Sequence, residues 1–148
     1  FTGLGNLWDL YISYNQLSSI PPGAFSGLVF LDYLDLSYNQ ISAILPGAFS
    51  NLTRLNTLVL NFNNLVSIPS GAFTGLGSLW NLYISYNQLS SIPPGAFSGL
   101  VFLDYLDLSY NQISAILPGA FSNLTRLNTL VLNFNNLVSI PSGAFTGL

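Results

Sequence analysis

The chain has no cysteine, methionine or histidine, and only two of its 148 residues are cationic. Lysine and glutamate are missing too, so Arg54, Arg126 and five aspartates form the whole ionic complement. Each gap removes a class of function. Without thiolate or imidazole there is no zinc ligand set and no activated nucleophile or general base. Serine is abundant but has no partner to activate it. The only carboxylate pairs are Asp32 with Asp35 and Asp104 with Asp107. Two carboxylates fall well short of the roughly six oxygens that calcium takes. The chain is therefore expected to be no enzyme and to carry no cofactor or metal. Two arginines are too few to neutralise a phosphate backbone, so nucleic acid is not an expected partner. The lack of cysteine leaves the redox compartment unstated. The sequence does not start with methionine, no signal peptide is expected within it, and no apolar run is long enough to span a bilayer.

What is present is repetition. Phe1 opens the unit FTGLGNLWDLYISYNQLSSIPPGA, Phe25 opens FSGLVFLDYLDLSYNQISAILPGA, and Phe49 opens FSNLTRLNTLVLNFNNLVSIPSGA. Phe73, Phe97 and Phe121 start the same three units again, and Phe145 to Leu148 repeats the first four positions. The chain reads as a single uncapped array, 1–148, with units 1–24, 25–48, 49–72, 73–96, 97–120 and 121–144 and the start of a seventh at 145–148. A super-repeat relates 1–72 to 73–144, with two differences: Asn6 becomes Ser78 and Asp9 becomes Asn81. A fixed short period of this kind is the mark of a solenoid, and the whole reads as a window of a longer array.

Within the first unit, Leu10 and Ile12 alternate with Asp9, Tyr11 and Ser13, the period-two signal of a strand. The apolar pair points inward. Asn15 ends the strand, where the departing backbone needs partners that an amide can supply as both donor and acceptor. At 24-residue spacing, Asn15, Asn39, Asn63, Asn87, Asn111 and Asn135 are expected to form a buried ladder bonded to neighbouring turns. Leu17 and Ile20 return to the core. Pro21-Pro22-Gly23 then favours turns over a regular helix. Phe1, Phe25, Phe49, Phe73, Phe97, Phe121 and Phe145 share one phase and are expected to stack as an aromatic spine.

The pattern LxxLxLxxNxLxxIPxxAFxxL resembles the 24-residue class of extracellular leucine-rich repeats, the class of variable lymphocyte receptors and Toll-like receptor ectodomains. The resemblance covers the whole chain. It implies an α/β-type solenoid, mostly strand and irregular coil: a right-handed superhelix with a concave parallel β-sheet and a convex side of turns and polyproline-like segments. It also implies a place outside the cell or on its surface. Two features depart from the receptor pattern. The Cys-rich end caps are missing, and the units are nearly identical every 72 residues. In addition, Leu45 and Leu117 stand where other units have their first proline.

The outward strand positions carry the candidate contacts. One column runs Tyr14, Tyr38, Phe62, Tyr86, Tyr110, Phe134; a second runs Tyr11, Asp35, Val59, Tyr83, Asp107, Val131. Trp8, Trp80, Tyr33 and Tyr105 lie beside them. Aromatic rings with scattered carboxylates suit glycans, a protein ligand or a second copy of the chain, and equally suit simple stacking along the solenoid. Val29-Phe30 and Val101-Phe102 are candidate lateral contacts, or pairs that tuck against the next unit. Asn51-Leu52-Thr53 and Asn123-Leu124-Thr125 match the N-glycosylation pattern.

Periodicity shapes the functional expectation. Any site on the sheet recurs every 72 residues, which suits a structural array better than one asymmetric epitope. Stacked repeats associating head to tail or side by side would make a fibre or adhesive stalk. The alternative is a ligand-binding module of receptor or adhesin type that uses the aromatic face.

Overall fold

The computed structural model describes all residues, 1–148. Ten short strands form in chain order: β1 (Asp9–Tyr11), β2 (Ser19–Ile20), β3 (Tyr33–Asp35), β4 (Ala43–Ile44), β5 (Thr57–Val59), β6 (Asn81–Tyr83), β7 (Ser91–Ile92), β8 (Tyr105–Asp107), β9 (Ala115–Ile116) and β10 (Thr129–Val131). The structure is a parallel-strand leucine-rich-repeat solenoid. Six strands build one sheet in the order β1-β3-β5-β6-β8-β10. Each pairs in parallel with the strand one unit away, so Leu10 faces Leu34, Leu34 faces Leu58, and Leu58 faces Leu82. No residue is helical. The side opposite the sheet is made of turns, as the proline and glycine placement requires.

Why each strand is so short follows from its residues. The central leucines Leu34, Leu58, Leu82 and Leu106 are fully buried, while the residues on either side of them stay half-exposed. Four positions after the central leucine the chain turns through a left-handed residue: Tyr14, Tyr38, Phe62, Tyr86, Tyr110 and Phe134 all have φ between 51° and 57°. A side-chain-bearing residue in that region is costly and ends the extended run. The next residue is the ladder asparagine. Asn39 shows the pattern: its Nδ2 donates to the Ile12 carbonyl of the preceding turn at 3.0 Å and to its own Leu36 carbonyl at 3.1 Å. Its Oδ1 accepts the Leu17 N–H at 3.0 Å. Asn63, Asn87 and Asn111 repeat this set and are buried; Asn135 is half-buried and Asn15 is exposed. Each amide from Asn39 onward therefore ties one turn to the turn before it, and the asparagines do not bond to one another.

The core is one continuous cluster of buried leucine, isoleucine, phenylalanine and alanine. Along its far side the phenylalanine rings stack from Phe1 to Phe145 with centroids 6.0 to 6.2 Å apart. Phe25 through Phe121 are buried, whereas Phe1 and Phe145 are exposed.

Two small parallel pairs, β2 with β4 and β7 with β9, lie outside the main sheet. Each contains the turn in which leucine replaces the first proline, which happens in every third unit. The Leu45 N–H donates to the Ile20 carbonyl at 3.3 Å, beside the β2–β4 pairing. Pro69 and Pro93 hold the equivalent position in the next two units and have no N–H to give. The pairing stops there and resumes at β9, where Leu117 again replaces proline.

Candidate binding face and its flanks

The 24-residue register brings the outward columns together across the sheet. Tyr11 of β1 meets Tyr33 of β3 at 5.2 Å with a tilt of 35°, and Tyr83 of β6 meets Tyr105 of β8 at 5.3 Å and 39°. Between these two tyrosine pairs, β5 offers only the smaller Thr57 and Val59. The result is a recess of about 340 Å³, walled by Tyr33 and Tyr83 and floored by Thr57, Val59 and Asn61. Asn61 is fixed there because its Oδ1 accepts the Ser85 N–H at 2.8 Å. Thr57 and Asn61 escape a reading by residue type, yet their place follows from the register that puts Thr57 between Tyr33 and Asn81.

The face is acidic. Asp9, Asp35 and Asp107 occupy outward strand positions, and Asp32 and Asp104 directly precede β3 and β8. Asp35 Oδ1 accepts the Ser37 N–H at 2.9 Å, and Asp107 Oδ1 accepts both the Ser109 N–H and its hydroxyl. These bonds hold the carboxylates in fixed positions on the sheet. Asp104 accepts a bond from the Asn128 amide. Burial, and next the Asp35 carboxylate, push the Tyr33 phenol above its ordinary value, with Tyr11, Tyr83 and Asp9 adding to the effect. Tyr105 is raised in the same way, by burial and then by Asp107. Both phenols are neutral donors in a negative field. Trp8 and Trp80, just before β1 and β6, are well exposed at the rim. No group of three or more acidic, thiol or imidazole side chains comes together to hold a metal ion.

The column that begins at Tyr14 is spent on itself. Tyr14, Tyr38, Phe62, Tyr86, Tyr110 and Phe134 stack face to face with centroids 4.1 to 4.3 Å apart and tilts of 8° to 12°. Each interior ring has both faces covered and offers only its edge. Packing against neighbours raises the Tyr38 and Tyr86 phenols, and the adjoining hydroxyls of Tyr14 and Tyr110 add to the shift.

On the flank before the strands, Val29, Phe30, Val101 and Phe102 are exposed. The Arg54 guanidinium lies 4.9 Å from the Phe30 ring centroid, and Arg126 lies 5.0 Å from that of Phe102. Both cations of the chain are thus engaged in cation–π contacts away from the recess. Arg54 stands 24 residues after Phe30, so the repeat register contained this contact, although composition gave no hint of it. Asn51 and Asn123 are exposed on the turns after the phenylalanine spine.

Comparison with known proteins agrees with this architecture. The model of the leucine rich repeat family matches residues 1–41, 31–89, 53–113, 81–137 and 103–148, which together span the chain. A search of curated protein sequences finds no match. Among solved structures, 356 chains match, so the fold alone says little about function. One is the crystal structure of the TLR13–ssRNA13 complex, with 30% identity and a TM-score of 0.72 over 97% of this chain. This chain covers only 24% of the length of that one. Motif, parallel register, asparagine bonding and family match converge, and the chain belongs to the leucine-rich repeat family.

Proposed function

We propose that the chain is a recognition module, acting outside the cell or at its surface, that binds an extended ligand bearing cationic groups across the six-stranded sheet. The observation that carries this reading is the recess between Tyr33 and Tyr83. It is a shaped polar and aromatic depression, and the charged side chains in and beside the surrounding strands are all aspartates. Aromatic walls in a negative field suit a guanidinium or ammonium, which gains from both ring faces and carboxylates. The 72-residue identity repeats the tyrosine pair and its aspartate, which favours a ligand that is itself repetitive. RNA, present in the TLR13 complex, does not suit this face, because Arg54 and Arg126 lie off the sheet over Phe30 and Phe102.

Calorimetric titration with an extended arginine-rich peptide, beside a neutral oligosaccharide of similar length, tests the reading. Binding of the peptide that weakens with salt, and falls at least about tenfold in the Tyr33→Ser/Tyr83→Ser double variant, supports it. Equal binding by the variant, or binding of the oligosaccharide alone, sinks it.

The near-identity of residues 1–72 and 73–144 favours a second reading, a fibre or adhesive stalk built from stacked repeats of this chain. Electron microscopy of native material separates the two. Filaments with an axial repeat of about 14 Å, three turns at the usual strand spacing, support the stalk. Short discrete arcs remove it.

A further inference from the structure

We propose that Asn51 and Asn123 carry N-linked glycans, a modification independent of how the sheet face is used. The argument begins with the backbone. The third position of each unit lies in the left-handed region: Gly3, Gly27, Gly75, Gly99 and Gly147 have φ of 88° to 102°, and Asn51 and Asn123 have φ of 72° and 71°. Asparagine is the side-chain-bearing residue that tolerates this region best, so the conformation alone accounts for an asparagine there. It does not account for the threonine two residues later. Thr53 and Thr125 are exposed, and the same position holds Gly5, Val29, Gly77 and Val101 elsewhere. The fold has no need of a hydroxyl at that place, whereas transfer of a glycan to asparagine does.

Space is the second observation. Asn51 is flanked on the neighbouring turns by Gly27 and Gly75, and Asn123 by Gly99 and Gly147. A Cβ at Gly75 would lie 3.0 Å from the Phe49 carbonyl oxygen and 3.1 Å from Ser50 Cα, so bare backbone packs against the Asn51 turn. Gly147 meets Ser122 and Asn123 in the same way, while Gly27 and Gly99 have nothing within 4 Å of where a Cβ would stand. No side chain from either adjoining third position overhangs the amide. Unlike Asn39 and Asn63, neither amide is tied to another turn. Both sites lie outside β5 and β10, so a sugar there leaves the tyrosine recess open. It would also hydrate a flank that exposes Val29 and Phe30 on a chain with only 5% charged residues.

The chemistry is a simple displacement. The Asn Nδ2 attacks the anomeric carbon of a diphosphate-activated oligosaccharide bound to a transferase. A C–N bond forms, the bond from that carbon to the diphosphate oxygen breaks, and the diphosphate leaves with the electron pair. The amide gives up one proton to the transferase.

The test is peptide mass spectrometry of native material, with N-glycans released by an amidase in heavy-oxygen water. Heavy-oxygen aspartate at positions 51 and 123, and at no other asparagine, is the expected result. Unlabelled asparagine at both positions overturns the proposal. In protein secreted from eukaryotic cells, Thr53→Ala keeps the left-handed asparagine and should lose label at Asn51 alone. Retained label at Asn51 in that variant also overturns it. Asn51→Gly restores the residue of the neighbouring turns and should lose the sugar without loss of folding, which keeps the sugar and the fold separable.

Discussion

Asn63 shows how much one side chain holds. It is 5% exposed; its Nδ2 donates to the Leu36 and Leu60 carbonyls and its Oδ1 accepts the Ile41 N–H. Asn63→Ala orphans the Ile41 N–H inside the core, at about 1–3 kcal/mol, while the Leu36 and Leu60 carbonyls keep the amides of Asn39 and Asn87. We expect a loss of about 1–3 kcal/mol in urea unfolding, and far less for Asn15→Ala, whose amide is exposed. Equal costs would mean that the bonds to the neighbouring turn contribute nothing. The tyrosines make a second prediction at this scale. Tyr33, Tyr38, Tyr86 and Tyr105 hold their protons more tightly folded than at the ordinary value of 10.0. Stability from this source is complete below that pH and falls as pH climbs from there through the raised values. Phenolate absorbance followed together with circular dichroism should show late ionisation coinciding with unfolding. Early ionisation of all eight tyrosines without unfolding contradicts it.

At the scale of the element, the stacked column beside the sheet sets strain against attraction. Tyr86 sits at φ 54°, a conformation that costs a side-chain-bearing residue about 1–2 kcal/mol. It makes two stacks, at 4.1 Å to Phe62 and 4.2 Å to Tyr110, each worth about 0.5–1.5 kcal/mol beyond the area buried. Tyr86→Gly relieves the strain and removes both stacks and the ring's buried area. The balance is a net loss of about 1–2 kcal/mol, measured by chemical denaturation. A gain in stability would show that the column serves something other than folding. The sequence made these elements unequally legible. Alternation around Leu10 and Ile12 marks the strand, because burial on one face needs nothing beyond one unit. The β2–β4 pairing adjoins a bond from an N–H that Leu45 has and proline lacks, a difference visible in the sequence but silent until the turns are stacked. The recess is harder still. It arises from the contrast between Tyr33, the smaller Thr57 and Val59, and Tyr83 on three successive turns, so no single unit contains it.

For the whole molecule, the decisive property is that each turn contacts only its neighbours. All strand pairing is between units one step apart, and each ladder asparagine from Asn39 to Asn135 reaches back a single turn. Such a chain has no long-range closure, and its stability is a sum of unit terms and interface terms. Interfaces dominate here. The phenylalanine spine, the ring column and the asparagine bonds to the preceding turn all lie between turns, and an isolated unit keeps none of these. Inserting one further copy of residues 73–144 between Ala144 and Phe145 adds three unit terms and three interface terms. If the array unfolds as one body, the denaturant slope should rise by about half, in proportion to the surface exposed, and the midpoint should also rise. Should the slope stay at its original value while the midpoint rises, the turns unfold in separate groups. Hydrogen exchange then decides where the break lies. The place to look is between Ile44 and Ile68, and again between Ile68 and Ile92, where Pro69 and Pro93 interrupt the pairing outside the main sheet. Protection that drops across those junctions would make the outer pairs β2–β4 and β7–β9, and not the single turn, the cooperative units of the array.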